Sequence, residues 1–242
     1  MAISRNFLDS YFGFDEGSGS STLEAVSGEL TALESGAFPW ATPGKVGDAW
    51  LFSGVNASAI LGDFGALPEN GDWGISVYLD PEDNQGSNDG WAVSKWHDDN
   101  LSSVSLYGVA YTINPDDTKS IKAFVSFVDS DGRVDTVELI HNVGTDVTPH
   151  WIFVTWDSEN STVNLFVDGV LAASGTPPGT APHTTKVFPG ASLDLYNAFD
   201  NTLNRYRGGI DELAFLSGRK FDADDAAWLY NSGIGRSFAD FD

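Results

Sequence analysis

Apolar and polar positions alternate along most of the chain in short blocks, and each block is closed by a turn signal. The runs are SYFGF, DAWLF, SAILG, WGISVYL, GWAVSKW, SSVSLYGVAYTI, SIKAFVSFV, RVDTVELI, HWIFVTW, TVNLFV, GVLAAS, SLDLYNA and GGIDELAFL. Period-two runs rich in β-branched and aromatic residues, bounded by Gly, Asn, Asp and Pro, predict strands. The separators carry turn chemistry of their own. NPDDTK (114–119), DSDG (129–132) and DSENS (157–161) all read as hairpin connections. So many strands in one series, with no long Pro/Ser-rich linker, predict one all-β domain, a two-sheet antiparallel β-sandwich.

The stretch from Ser161 to Thr176 shows the pattern at its clearest. Asp168-Gly169 suits a two-residue type I′ turn, whose central residues both need positive φ. Such a turn sets Val167 opposite Val170, Phe166 opposite Leu171 and Leu165 opposite Ala172. Both faces are then apolar, which predicts a hairpin inside a sheet and covered on both sides. One short helix is expected in FDADDAAWLYNSGIG. Asp222 caps it, Asp224 and Asp225 occupy its first turn, and Gly233 stops it. Ala226, Leu229 and Tyr230 form its buried stripe, with Trp228 at the rim.

Composition narrows the class. Hydrophobic residues make up 41 % of 242, so the disordered class is excluded. There is no cysteine, hence no disulfide and no thiolate site or Cys nucleophile. Lys and Arg number 12 against 35 Asp and Glu, a formal charge of −23. Phosphate binding needs clustered cations, so nucleic acid is not an expected partner. No run approaches the roughly 20 apolar residues of a membrane span, so no membrane insertion is expected. MAISRNFLDSYFGFDEG has no signal-type apolar core, which predicts synthesis in the cytoplasm without general secretion.

Four segments carry a resemblance. YFGFDEGSGSSTLEAVSGELTAL with PGKVGDAWLFSGVNASAIL, then AVSKWHDDN, then HWIFVTWDSENSTVNLFVDGVLAASGT, and finally GGIDELAFLSGRKFDADDAAWLYNSG follow one another from Tyr11 to Gly233. In that order they resemble the laminin-G-like jelly rolls of the concanavalin A-like lectin and glucanase superfamily. The resemblance implies a jelly roll over residues 9–235 with one short C-terminal helix; residues 1–8 and 236–242, whose scattered apolar groups fall outside the strand pattern, are expected as an N-terminal arm and a C-terminal tail. It also implies a structural Ca2+ between the N-terminal acidic loop and the IDE strand, on Asp15, Glu16, Asp211 and Glu212. The chain departs from the family at EAVSG, where Ala25 stands in place of the usual Asp and Glu24 stands beside it. The alternative is an acidic loop paired with Arg207 or Arg219.

Other chemistry is sparse. Glucanases of this fold set two Glu on one strand around an Asp, and in RVDTVEL Arg133 occupies the first Glu position, leaving Asp135 and Glu138. His97, His141, His150 and His183 show no metal-site spacing. The expectation is no enzyme. DSDGRVD has the first half of an EF-hand spacing and reads as a plain turn. A pyranose needs an aromatic platform beside amide or carboxylate acceptors. Two stretches have that composition: Trp96, His97, Asp98, Asp99 and Asn100, and then Tyr196, Asn197, Asp200 and Asn201.

A lectin-like sandwich without an export signal predicts a non-enzymatic virion structural protein, a phage capsid decoration or tail-associated adhesion protein. Its expected partners are capsid or tail proteins, further copies of itself and a host cell-surface glycan. The alternative is a free-standing carbohydrate-binding module or lectin, calcium-assisted, reaching the outside by a non-classical route.

Overall fold

The computed structural model describes residues 2–19, 21–32, 40–41, 44–52, 59–61, 64–82, 89–98, 103–179, 183–185, 192–195 and 206–242. The first strands are β1 (Leu8–Phe12), β2 (Ser21–Glu24), β3 (Glu29–Ala32), β4 (Trp40–Ala41), β5 (Ala49–Phe52) and β6 (Ala59–Ile60). The long central strands follow: β7 (Trp73–Pro81), β8 (Asp89–Asp98), β9 (Ser103–Ile113), β10 (Lys119–Asp129), β11 (Val134–Gly144) and β12 (His150–Asp157). Then come β13 (Thr162–Val167), β14 (Val170–Gly175), β15 (His183–Thr185), β16 (Ser192–Leu195), β17 (Gly208–Ser217) and the helix α1 (Ala223–Tyr230).

These strands form two antiparallel sheets. One has ten strands in the order β14-β13-β12-β7-β17-β1-β2-β3, with β4 and β5 joined through β17. The other has seven, in the order β11-β10-β9-β8-β16-β6, with β15 on β10. The architecture is the expected β-sandwich with one short C-terminal helix.

Alternation on β7 shows how the sequence builds the layers. Trp73, Ile75, Val77 and Leu79 point inward and are buried in the core between the sheets, alongside Trp50, Tyr107 and Trp156. Phe127 from the seven-stranded sheet meets Trp156 from the other at 4.4 Å between ring centres. The opposite face of the ten-stranded sheet is also covered. Trp151, Phe153, Phe166, Ala214 and Leu216 bury against Phe221, Ala226, Leu229 and Phe241 of the C-terminal region.

The helix starts as its sequence predicts. Asp222 accepts from the N–H of Asp224 at 2.9 Å and of Asp225 at 3.3 Å, and the Asp225 carboxylate takes the Asp222 N–H at 3.0 Å. This reciprocal cap satisfies donors that the first turn would otherwise leave orphaned. Arg219 fixes the cap from outside by a two-pronged ion pair with Asp225, so it is not the counter-ion of the N-terminal loop. The left-handed exit begins at Asn231, φ 48°, earlier than the expected Gly233. Tyr230 is half-buried, while Asp225 joins Ala226 and Leu229 on the buried side.

The Asp168-Gly169 hairpin forms, with Val167 opposite Val170 and Phe166 opposite Leu171. A bulge then shifts the register, so Leu165 faces Ala173 and not Ala172. The hairpin also lies at the rim and not mid-sheet: β14 is the terminal strand, and Val170 is 68 % exposed. Its two apolar faces have two different covers. The second sheet covers Val163, Leu165 and Val167, and the C-terminal region covers Phe166. At the far end of β14 a side chain on Gly175 would come within 2.9 Å of Leu139 and 3.0 Å of Val137, so the two sheets close tightly there.

The two terminal segments are bonded to each other. Arg5 N–H donates to the Asp242 carbonyl at 2.6 Å, Asp242 N–H to Ile3 at 3.3 Å, and Arg5 Nε to Phe241 at 2.9 Å. The Arg5 guanidinium also lies 4.5 Å over the Phe238 ring.

Candidate functional site

The first expected sugar-binding stretch ends β8: Trp96, His97 and Asp98 are its last three positions, and Trp96 pairs with Ser192 and Ser105. Their side chains, and all of Asp99, Asn100, Tyr196, Asn197, Asp200 and Asn201, lie outside the described residues. The antiparallel register of β8 and β16 puts Trp96 beside Ser192 and Val93 beside Leu195. The two strands therefore exit at opposite ends of the sheet.

The four expected metal ligands are described, and each has a separate setting. Asp15 Oδ1 accepts the Asp48 N–H at 3.0 Å. Glu16 Oε1 accepts the Leu23 N–H at 2.7 Å and the Thr22 hydroxyl at 3.1 Å. Asp211 spends both oxygens: Oδ2 on the N–H groups of Lys45 at 2.8 Å and Val46 at 3.2 Å, Oδ1 on the Glu212 N–H at 2.9 Å. Glu212 sits at the β17 bulge with φ 52°, is 1 % exposed, and neither of its oxygens has a hydrogen-bond partner. Glu24, beside the departure from the family pattern, accepts from the N–H groups of Tyr11, Val26 and Ser27.

Calcium takes about six to eight converging oxygens. Among the described residues no group of three acidic or histidine side chains converges to hold a metal ion. Asp15 and Asp211 both clamp the GKVGD turn by its backbone. Burial pushes the Asp211 carboxyl up to about 7, against the pull of its three N–H donors, and the Asp15 charge adds to the rise. Burial, with the Asp240 charge, pushes Glu212 up to about 9. A lone buried carboxyl holds its proton because the ionised form loses its hydration.

The glucanase pattern is dispersed as well. Asp135 points inward on β11 and pairs with Arg133 at 3.2 Å and His183 at 3.5 Å, while Glu138 lies on the exposed face. An odd spacing on a strand puts the two carboxylates on opposite sides. DSDG is a hairpin turn: Asp129 Oδ1 takes the N–H groups of Asp131 and Arg133, and Gly132 has φ 79°.

A groove crosses the outer face of the ten-stranded sheet beside the turn that Asp211 clamps. Its larger part, about 430 Å³, is lined by Gly44, Lys45, Leu51, Tyr78, Asp80 and Glu82 among others. A smaller part of about 200 Å³ continues past Lys45 and Tyr78 to Trp151, Asp168 and Tyr230. The larger part alone is within the roughly 300–1,000 Å³ of small-molecule sites.

Strand period two delivers Tyr78 and Asp80 to the same outer face of β7. The clamped GKVGD turn brings Lys45 over the Tyr78 ring, with Nζ 5.4 Å from its centre. Asp168 arrives at the groove from the hairpin tip. Burial, then the charges of Asp80, Asp211 and Asp168, push the Tyr78 phenol up to about 12, so it stays a donor. Burial and Glu82 raise the Asp80 carboxyl, and Lys45 lowers it.

The sequence pattern alone assigns none of Lys45, Tyr78, Asp80 or Glu82 to a site. The signal is present in VYLDPE, where an aromatic and two acids follow one another at the end of a strand otherwise buried on its other face.

Comparison with solved structures places the fold. Domain 4 of AbnA, a GH43 extracellular arabinanase from Geobacillus stearothermophilus solved with arabinotriose, matches with TM-score 0.58 at 16 % identity, over 98 % of this chain and 100 % of that domain. A Trypanosoma rangeli sialidase matches with TM-score 0.61 at 11 % identity, over 97 % of this chain and 34 % of the sialidase. Botulinum neurotoxin type C, in a structure tied to cell entry through two ganglioside molecules, matches with TM-score 0.61 at 10 % identity, over 94 % of this chain and 51 % of the toxin chain. The chain thus spans about a third of the sialidase chain and half of the toxin chain. These likenesses show the fold alone, a two-sheet antiparallel β-sandwich. The sequence matches no family model and no curated protein.

Proposed function

We propose that this chain is a non-enzymatic, lectin-like domain that binds carbohydrate on the outer face of its ten-stranded sheet. The observation that carries the proposal is the groove at Tyr78. An aromatic ring, a phenolic donor, an ammonium and three carboxylates line one groove, with Tyr78 and Asp80 on β7 and the others on adjoining turns. A sugar ring presents an apolar face ringed by hydroxyls, and this set of groups matches both features. Support from the comparisons is of the same kind: the arabinanase domain that matches along its whole length was solved with arabinotriose.

Catalysis by the glucanase arrangement would need two carboxylates on one face about 5–10 Å apart. Here Asp135 and Glu138 lie on opposite faces of their strand. The finer reading, a phage or viral particle component displaying this domain toward a host glycan, rests on fold analogy. Its calcium-assisted counterpart is a free lectin.

A glycan array probed with the purified chain, with and without chelator, tests the proposal. Glycan binding in both conditions and no new reducing ends from the bound polysaccharide are expected. Turnover of a polysaccharide, or silence across the array, overturns it. Mass spectrometry of intact particles tests the virion setting separately, by asking whether the chain is a stoichiometric component.

A further inference from the structure

We propose that the groove at Tyr78 selects uncharged saccharides and rejects acidic ones such as sialylated or uronate glycans. The inference rests on the carbohydrate-binding reading above and assigns the ligand class of that site.

The argument begins with which groups line the groove. Asp80, Glu82 and Asp168 contribute three carboxylates, and Lys45 contributes one ammonium. A carboxylate only accepts hydrogen bonds, so it pairs with a sugar hydroxyl and repels a sugar carboxylate. The Lys45 charge is already shared. Its Nζ lies against the Tyr78 ring, and it is the charge that lowers the Asp80 carboxyl against burial and Glu82. An incoming anion would therefore meet three carboxylates and, among the described lining residues, one cation that already sits against an aromatic ring. The wider field acts in the same direction, with a formal charge of −23 on the whole chain.

The groove cannot rearrange cheaply to hide its acids. Asp80 stands on β7 within the β17 pairing, where Gly209 faces it in register. A side chain on Gly209 would come within 3.3 Å of Asp80 Cβ, so the strand pair sets where that carboxylate projects. On the other wall, a side chain on Gly44 would lie 2.3 Å from the Asp48 carbonyl and 2.8 Å from Asp211 Oδ2. The turn that carries Lys45 is therefore held to the sheet with no slack. Sites held on strands fix geometry better than sites on loops.

Two sources of rejection separate by salt. The distant field of the chain is screened over about 8–10 Å at physiological ionic strength, while contacts within the groove are screened much less. Discrimination that survives high salt comes from Asp80, Glu82 and Asp168.

The test is titration calorimetry with arabinotriose, cellotriose and N-acetyllactosamine as neutral probes, and sialyllactose and trigalacturonate as acidic ones, at low and high salt. At least one neutral probe binds, and the acidic probes bind about tenfold or more weaker at both salt concentrations. Tyr78→Ala weakens the neutral probe about tenfold or more. The double variant Asp80→Asn with Glu82→Gln, both at solvent-accessible positions, narrows the gap between neutral and acidic probes about tenfold; it keeps the test open should Tyr78→Ala unfold. Acidic probes binding as tightly as neutral ones, or a gap unmoved in the double variant, overturns the inference while leaving carbohydrate binding intact. No binding of any probe overturns both.

Discussion

His150 Nδ1 lies 2.8 Å from Asp168 Oδ2, and the other oxygen of Asp168 accepts the Trp151 N–H at 2.9 Å. One turn carboxylate thereby ties the hairpin tip to the start of β12. A carboxylate accepts, so Nδ1 carries a proton, and Nε2 lies 3.1 Å from the Thr148 hydroxyl. Asp168 also holds φ 52°, which Asp tolerates and most other side chains do not. Asp168→Ala loses both bonds and adds left-handed strain, so urea unfolding is expected to show a loss of about 2–3 kcal/mol. Asp168→Asn keeps one acceptor and the turn preference, and loses less than half of that. Equal losses in the two variants would mean the carboxylate's bonds are not what holds the hairpin.

Glu212 makes stability depend on pH in a particular direction. Its carboxyl titrates near 4.5 when free and is pushed up to about 9 in the fold by burial and by Asp240. Between those values the folded state binds more protons than the unfolded state, so stability falls as pH rises. Asp211, raised to about 7, contributes in the lower part of the window only. The window from about pH 7 to 9 therefore belongs to Glu212. Glu212→Gln is expected to flatten the denaturation midpoint across that window. A variant that keeps the wild-type slope contradicts the assignment.

Gly47 has φ 76°, and a side chain there would stand 1.9 Å from Asp15 Oδ1. Gly28 has φ 77° with nothing within 4 Å. The pair separates backbone strain from steric clash. Gly28→Ala is expected to cost about 1 kcal/mol, the strain alone. Gly47→Ala costs more, about 2–3 kcal/mol, because Asp15 must release the Asp48 N–H. It also shifts Lys45 from Tyr78 and weakens glycan binding, whereas Gly28→Ala leaves binding unchanged. Equal effects on binding would disconnect the turn from the groove.

The layers, the strand pattern and the helix start were legible because each rests on local chemistry. Period two set Trp73 to Leu79 inward, and Asp222 with Asp225 spelled a cap. The bulge that moves Leu165 onto Ala173 was not legible, because a two-residue turn sets the register only for the pairs next to it. Apolar residues on both faces of the hairpin suggested a mid-sheet position, yet a rim strand shows the same pattern when the C-terminal region covers its outer side.

The setting of the expected metal ligands was hidden from the sequence for a related reason. Carboxylate composition marks Asp15 and Asp211, but only the fold shows that backbone N–H groups of the GKVGD turn occupy their oxygens. Likewise, Tyr78 and Asp80 are neighbours in sequence, while Lys45 and Asp168 reach them only through the sheet.

The most direct test of carbohydrate binding without catalysis is NMR on the isotope-labelled chain titrated with a neutral oligosaccharide, following protein amides and sugar anomeric protons in the same sample. Shifts should concentrate at Lys45, Tyr78, Asp80 and Asp168, and the anomeric signals should keep their number over days. New reducing-end signals, or shifts that avoid the outer face of the ten-stranded sheet, would contradict it.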